Sequence, residues 1–274
     1  MRDPQHYGPW ALVTGASDGI GEAMARRAAA DGLNVVLAAR REDKLRALAQ
    51  NIERDNNVQT RVVAADLSNP QGLEALIAAV HTVDIGLAVL AAGFATTKPF
   101  TASAVSDELD MVALNITAVT QLSHVLARRM TARGRGGIIL FGSILGWQGV
   151  PGEANYAATK AYVQTLAEGL HGELKPLGID VLCVAPGPVH TGFAARAGLS
   201  MKSATTPAVV TDAAWSGLGR RVTVVPGARA TFLTLSLSPL PRRMRSMILR
   251  RAMASMRPRA RSTGIRCEAG VKRR

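Results

Sequence analysis

The chain has 274 residues, 47% of them hydrophobic and 4% aromatic, which suits one large α/β body with a sizeable, alanine-rich core. Its two cysteines, Cys183 and Cys267, lie far apart and form no disulfide or zinc pattern, which fits a reducing cytosol. The formal net charge is +13, but Arg242 to Arg274 holds twelve Lys+Arg against Glu268 alone, so this stretch carries +11 and the preceding 241 residues only +2.

The first eight residues are polar, so no signal peptide is expected, and no uninterrupted apolar run of about 18 residues predicts a membrane span. Trp10 to Val13 reads as a buried strand running into Thr14-Gly15. Ile20 to Ala30 reads as a helix closed by Asp31-Gly32, and Asn34 to Ala39 as a second apolar strand. Arg41 to Asn56 has helical periodicity, with Leu45, Leu48 and Ile52 on one face. A third strand spans Arg61 to Ala65 and ends at Asp66, and a helix runs from Pro70 to His81.

Ile85 to Ala91 is the fourth strand, and a long helix from about Ser106 to Arg133 ends in the turn Gly134-Arg135-Gly136-Gly137. Ile138 to Phe141 follows as a strand, Ala154 to Leu177 as a helix, and Ile179 to Val184, which holds Cys183, as another strand. Val222 to Val225 reads as the seventh. Short, continuously apolar strands alternating with helices predict a parallel sheet covered on both faces. The irregular stretch from about 187 to 219 follows a strand end, where open α/β sheets bind ligands, and is a candidate substrate lid. Its Phe193, Leu199, Met201 and Trp215 suit either an apolar ligand or ordinary packing.

Gly15, Gly19 and Gly21 sit between a strand and a helix, where missing side chains let backbone approach a pyrophosphate at the helix amino terminus. The second strand ends in Arg40 and Arg41 rather than an acid, which suits the 2′-phosphate of NADP over the free ribose of NAD. Tyr156 and Lys160 stand one helical turn apart, so an ammonium can sit beneath a phenol. A nearby cation favours the ionised phenol, whose ordinary pKa is about 10.

The set Thr14 to Gly21, Asp66, Ala91-Ala92-Gly93, Asn115, Ser143, Tyr156-x-x-x-Lys160 and Pro186-Gly187-Pro188-Val189-His190-Thr191 resembles, in this order, the short-chain dehydrogenase/reductase family over roughly residues 9 to 225. The resemblance implies a single Rossmann-like, doubly wound domain, placed at residues 1–227, with a seven-stranded parallel sheet; the residues beyond it read as a basic helical extension over 228–274. It implies an NADP-dependent oxidoreductase that interconverts a carbonyl and a secondary alcohol. Tyr156 would be the general acid and base, Lys160 would bind the nicotinamide ribose and favour the phenolate, and Ser143 would hold the substrate oxygen. Asn115 would hold a water in a proton relay to Lys160. Gly15, Ser17, Gly19, Ile20, Gly21, Arg40, Arg41, Asp66, Leu67, Ala92, Gly93, Pro186, Gly187, Val189 and Thr191 would line the dinucleotide, with Asp66 at the adenine edge unless it only caps the next turn. A cytoplasmic homodimer or homotetramer, assembled through the two long helices, is the corresponding expectation.

Two departures stand out. Leu90-Ala91-Ala92-Gly93 replaces the family's Asn-Asn-Ala-Gly, and Asp18 occupies a position where NADP-preferring members often carry a cation. No histidine pattern suggests a metal. Pro241 to Met256 alternates arginines with Met244, Met247, Ile248, Leu249 and Met253; as a helix it would suit an anionic membrane surface, a partner groove or the rim of the substrate pocket. Residues Arg257 to Arg274 are expected to be disordered. No aromatic platform accompanies the arginines, so specific nucleic-acid binding is not expected. The rival reading is a dinucleotide-bound interaction protein that acts through this tail.

Overall fold

The computed structural model describes residues 4–96, 98–192 and 204–256. Seven parallel strands form one sheet in the order β3-β2-β1-β4-β5-β6-β7. They are β1 (Trp10–Thr14), β2 (Asn34–Ala39), β3 (Thr60–Ala64), β4 (Ile85–Leu90), β5 (Gly136–Phe141), β6 (Ile179–Val184) and β7 (Thr223–Val224). The longer helices among the described residues are α1 (Gly19–Ala30), α2 (Glu42–Asn56), α3 (Pro70–Ala79), α4 (Val105–Val112), α5 (Val119–Arg133), α6 (Ala154–Leu174), α7 (Pro207–Gly217), α8 (Ala228–Leu237) and α9 (Arg242–Met256).

Every residue of β4, β5 and β6 is buried, because helices cover both sheet faces. Alternate residues point to opposite sides. Val13, Leu37 and Val89 join the core beneath α1, α2 and α7, whereas Leu12, Val36 and Ala88 join the core beneath α3, α5 and α6. The expected Leu45, Leu48 and Ile52 stripe is buried in the first of these. Cys183 is buried in the second.

Gly136 and Gly137, read from sequence as a turn, belong to β5. A Cβ at Gly137 would lie 2.8 Å from the Tyr7 ring, so glycine serves close packing here rather than chain reversal. The long helix is continuous from Val105 to Arg133 but contains a π-helical turn at Ala113–Ala118. By length and mean hydropathy this stretch could cross a membrane. Instead its Met111, Leu122, Leu126 and Met130 are buried, the last three in the core beneath the sheet.

The chain crosses from β3 on one side of β1 to β4 on the other, and a crevice opens beyond the carboxyl ends of these strands. A third apolar cluster closes its far side: Leu237, Leu249 and Met253 pack on Ile144, Leu145, Val150 and Ala157. The tail helices α8 and α9 therefore belong to the same body as the sheet. Phe193, Leu199, Met201, Cys267 and Arg257 to Arg274 lie outside the described residues. Trp215 is resolved in favour of ordinary packing: it is 1% exposed, and its Nε1 donates to Asp31 Oδ2 at 2.6 Å.

Candidate active site

The crevice encloses about 410 Å³. At one end its wall is backbone. Gly15 (φ +69°) and Gly19 (φ +59°) adopt left-handed conformations that side chains resist. A Cβ on Gly15 would come within 3.0 Å of the Ala92 backbone, and one on Gly21 would collide with the Gly15 carbonyl. Bare backbone at the start of α1 is what a dinucleotide pyrophosphate needs, so this segment fits such a group. Ser17, Ile20, Ala92 and Gly93 line the same wall. Thr14 Oγ1 accepts from Ala92 N at 3.1 Å, pinning the loop where the family's asparagine is missing.

Arg40 and Arg41 also face the crevice. Arg41 donates to Ser17 Oγ (3.1 Å) and to the Ser17 carbonyl (3.2 Å), and its Nη2 is 3.5 Å from Asp18 Oδ2. Arg40 Nη1 stands 3.6 Å from Asp66 Oδ2. Asp66 does cap its own turn, accepting from Ser68 N (3.0 Å) and Ser68 Oγ (2.7 Å), while it lines the crevice beside Leu67. Burial alone would raise its carboxyl, but the Ser68 bonds and the Arg40 charge hold it below the usual range.

At the other end the wall is made of side chains. Ser143 lies two residues past the end of β5 and is 7% exposed; its Oγ accepts from Leu145 N at 3.2 Å and bonds to the Tyr156 hydroxyl. Tyr156 and Lys160 project from one face of α6, with the ammonium 5.7 Å from the phenol ring centre. Lys160 Nζ donates to the Phe141 carbonyl at 2.8 Å. Pro186, Gly187, Val189 and Thr191 close the crevice from the β6 side. Ile144 N donates to the Pro186 carbonyl at 3.2 Å, joining that loop to the Ser143 turn.

The electrostatics differ from the sequence expectation of a phenol pulled down by its lysine. Burial pushes Tyr156 above its ordinary value; the Ser143 bond opposes this and the Glu153 carboxylate adds to it. Burial also lowers Lys160 to about 8, with Cys183 opposing. The reason is geometric: in the protein alone the ammonium is directed at the Phe141 carbonyl, so removal from water outweighs pairing.

Asn115 stands one layer behind the crevice, 1% exposed in the π-helical turn. Its Nδ2 donates to the Phe94 carbonyl (3.0 Å) and to Thr159 Oγ1 (3.1 Å), and its Oδ1 accepts from Phe94 N (3.1 Å). Its amide therefore grips the loop after β4. A Cβ added at Gly93 would lie 3.0 Å from Asn115 Oδ1 and 3.6 Å from Lys160 Nζ, so the glycine keeps open the place where these groups converge.

Sequence reasoning missed Glu153, 3% exposed at the crevice wall, and the apolar Ile144, Leu145 and Leu233. Leu249, Ala252, Met253 and Met256 of α9 also line the crevice, so the rim alternative for the tail helix is realised. Their spacing at 249, 252, 253 and 256 is the helical signal that could have singled out this face.

The sequence profile of the family described as short chain dehydrogenase matches residues 9–201. A 7beta-hydroxysteroid dehydrogenase of Collinsella aerofaciens is 31% identical over 232 residues, covering 82% of this chain and 88% of the relative. A solved 7beta-hydroxysteroid dehydrogenase superposes with a TM-score of 0.84 at 28% identity, covering 93% of this chain and all of that one. A short-chain dehydrogenase from Sphingobium yanoikuyae in complex with NADPH gives 0.79 at 31% identity, covering 94% and 99%.

Proposed function

Since the chain belongs to the short-chain dehydrogenase/reductase family, and is an NAD(P)-dependent oxidoreductase acting on CH–OH or C=O groups, we propose that it works with NADP(H) and uses Tyr156 as its general acid and base. The observation that carries this reading is the Ser143–Tyr156 hydroxyl pair facing the crevice with Lys160 beneath. Two adjacent hydroxyls can both donate to one substrate oxygen, which fixes the carbonyl and polarises it.

When bound, the nicotinamide ring supplies or accepts the hydride. Tyr156 gives its proton to the oxygen in reduction and takes one back in oxidation. A phenol raised by burial keeps its proton at neutral pH, which suits reduction. The Lys160 ammonium stabilises the phenolate left behind. Asn115 holds the Phe94 backbone and so fixes the Gly93 wall beside Lys160; its assigned part in the relay is to keep this space open for a water. Arg40 and Arg41 at the end of β2 support a 2′-phosphate, and Asp66 with Leu67 supports an adenine edge.

The substrate we assign is a bulky apolar ketone or its alcohol, supported by Ile144, Leu145, Leu249 and Met253 at the chemical end. The 7beta-hydroxysteroid dehydrogenase relatives favour a steroid-like shape. Exposed Val105, Leu109 and Tyr162 on the long helices support a homo-oligomer. Residues 226–256 contain six arginines and no acid, and Phe232, Leu235, Met244 and Met247 are exposed there. These features support a peripheral contact between the 228–274 extension and an anionic membrane surface; failure to float with anionic vesicles at moderate salt would remove that part.

The central test is oxidation of NADPH and NADH against a panel of bulky and small ketones. NADPH-dependent turnover of a bulky ketone is expected. Turnover with NADH alone, or none with any carbonyl, would overturn the respective parts.

A further inference from the structure

We propose that Glu108 is a positioning residue: its carboxylate ties the rim of the crevice after β4 to the first turn of the tyrosine-bearing helix α6. The proposal rests on the oxidoreductase reading only for its kinetic consequence. Glu108 lies in α4 and is 6% exposed. Its Oε1 accepts from Thr96 Oγ1 (3.0 Å) and from Ser103 Oγ (2.6 Å), both in the segment between β4 and α4. Its Oε2 accepts from Asn155 Nδ2 at 2.7 Å, and the same amide stands 3.0 Å from the Glu108 carbonyl oxygen. Ser103 Oγ also lies 3.0 Å from the Phe100 carbonyl; a hydroxyl has one proton, and the shorter, charge-assisted contact takes it.

These partners belong to two different parts of the chain, which Glu108 joins from a third. Asn155 directly precedes Tyr156 and sits in the first turn of α6. Ala95, directly before Thr96, lines the crevice. Phe94, one residue earlier, is already held at its N–H and carbonyl by Asn115. The rim segment is thus fastened twice, by Asn115 at Phe94 and by Glu108 at Thr96 and Ser103. Both fastenings run to the framework that carries Tyr156 and Lys160.

A carboxylate does this better than other side chains because it offers only acceptors to three donors. Its charge also sits in the first turn of α4 and beside the first turn of α6, where helix dipoles favour an anion. Burial would raise the Glu108 carboxyl, but the bonds from Ser103, Asn155 and Thr96 overcome this and lower it, so the acceptor form persists at neutral pH. The likewise buried Asp180, by contrast, accepts from Tyr7 and Lys175, neither of which lines the crevice.

The test compares Glu108→Ala, Glu108→Gln and Glu108→Ala/Asn155→Ala in the full chain. Amide hydrogen exchange over residues 98–104 should quicken about tenfold or more in Glu108→Ala, stay unchanged in the strands, and be intermediate in Glu108→Gln. The KM for a turned-over ketone should rise about tenfold with NADPH affinity within about twofold, and Asn155→Ala should add little to Glu108→Ala. Exchange unchanged over 98–104, exchange raised equally across the sheet, or NADPH affinity falling in step with KM would each overturn the proposal. Should Glu108→Ala fail to fold, Glu108→Gln carries the same comparison. A wild-type protein that reduces no ketone would sink the oxidoreductase reading, and the exchange data would still decide the role of Glu108.

Discussion

Around Gly15 and Gly21 the crevice wall is largely backbone, drawn from one short stretch with glycine where a Cβ would collide. Around Ser143, Tyr156 and Lys160 the wall is polar side chains, delivered by a strand end and a helix and closed over by Leu249 and Met253 from the chain's last described helix. The first end starts from a local turn with the right left-handed conformations, set against the Ala92 backbone. The second needs distant elements in register before its groups meet. Binding and chemistry should therefore be separable by mutation.

The largest separation is expected from Tyr156→Phe. Turnover should fall about 10³-fold, in the range for loss of a positioned acid, while NADPH affinity stays within about twofold. Retained turnover in stopped-flow NADPH oxidation would break the division of labour.

Lys160→Met should sharpen it. The fall from 10.5 to about 8 corresponds to roughly 3 kcal/mol of disfavoured charge. A base held below its unfolded value costs stability in full below pH 8. The cost is relieved as pH rises toward about 10.4, so unfolding free energy should increase across that window. Lys160→Met should remove this slope and raise stability at pH 7 by about 1–3 kcal/mol, less whatever the lost Phe141 bond contributed, while abolishing turnover. A lowered Tm would refute the account. In the wild type, kcat/KM for reduction should decline above about pH 8, where the free enzyme's ammonium is lost.

At the backbone end, Arg41→Ala should weaken NADPH about tenfold and leave NADH unchanged. Equal loss for both dinucleotides, by calorimetry, would mean that Arg41 only holds the Ser17 turn. The smallest effect belongs to Trp215→Phe, which should cost about 1 kcal/mol through the lost Asp31 bond and leave KM alone. A changed KM would return Trp215 to the substrate pocket.

The strand pattern was largely legible because β4, β5 and β6 are buried on both faces and read as unbroken apolar runs. Gly136 and Gly137 misled because glycine signals a turn locally, whereas here it admits the side chains of Met130 and Tyr7. Tyr156 and Lys160 were legible as a pair because helical geometry fixes the i, i+4 relation. Glu153 and Glu108 were not, since a buried acid looks like a solvated one until its neighbours are known.

Sequence alone determined the sheet's composition, the glycine turn and the spacing of Tyr156 and Lys160, all governed by local periodicity and backbone sterics. Tertiary structure alone decided that α9 walls the crevice, that Asn115 grips Phe94, and that burial shifts the proton affinities of Tyr156 and Lys160 in opposite directions. The reason is that desolvation and convergence depend on which distant segments exclude water around a group, and no window of the chain contains that information.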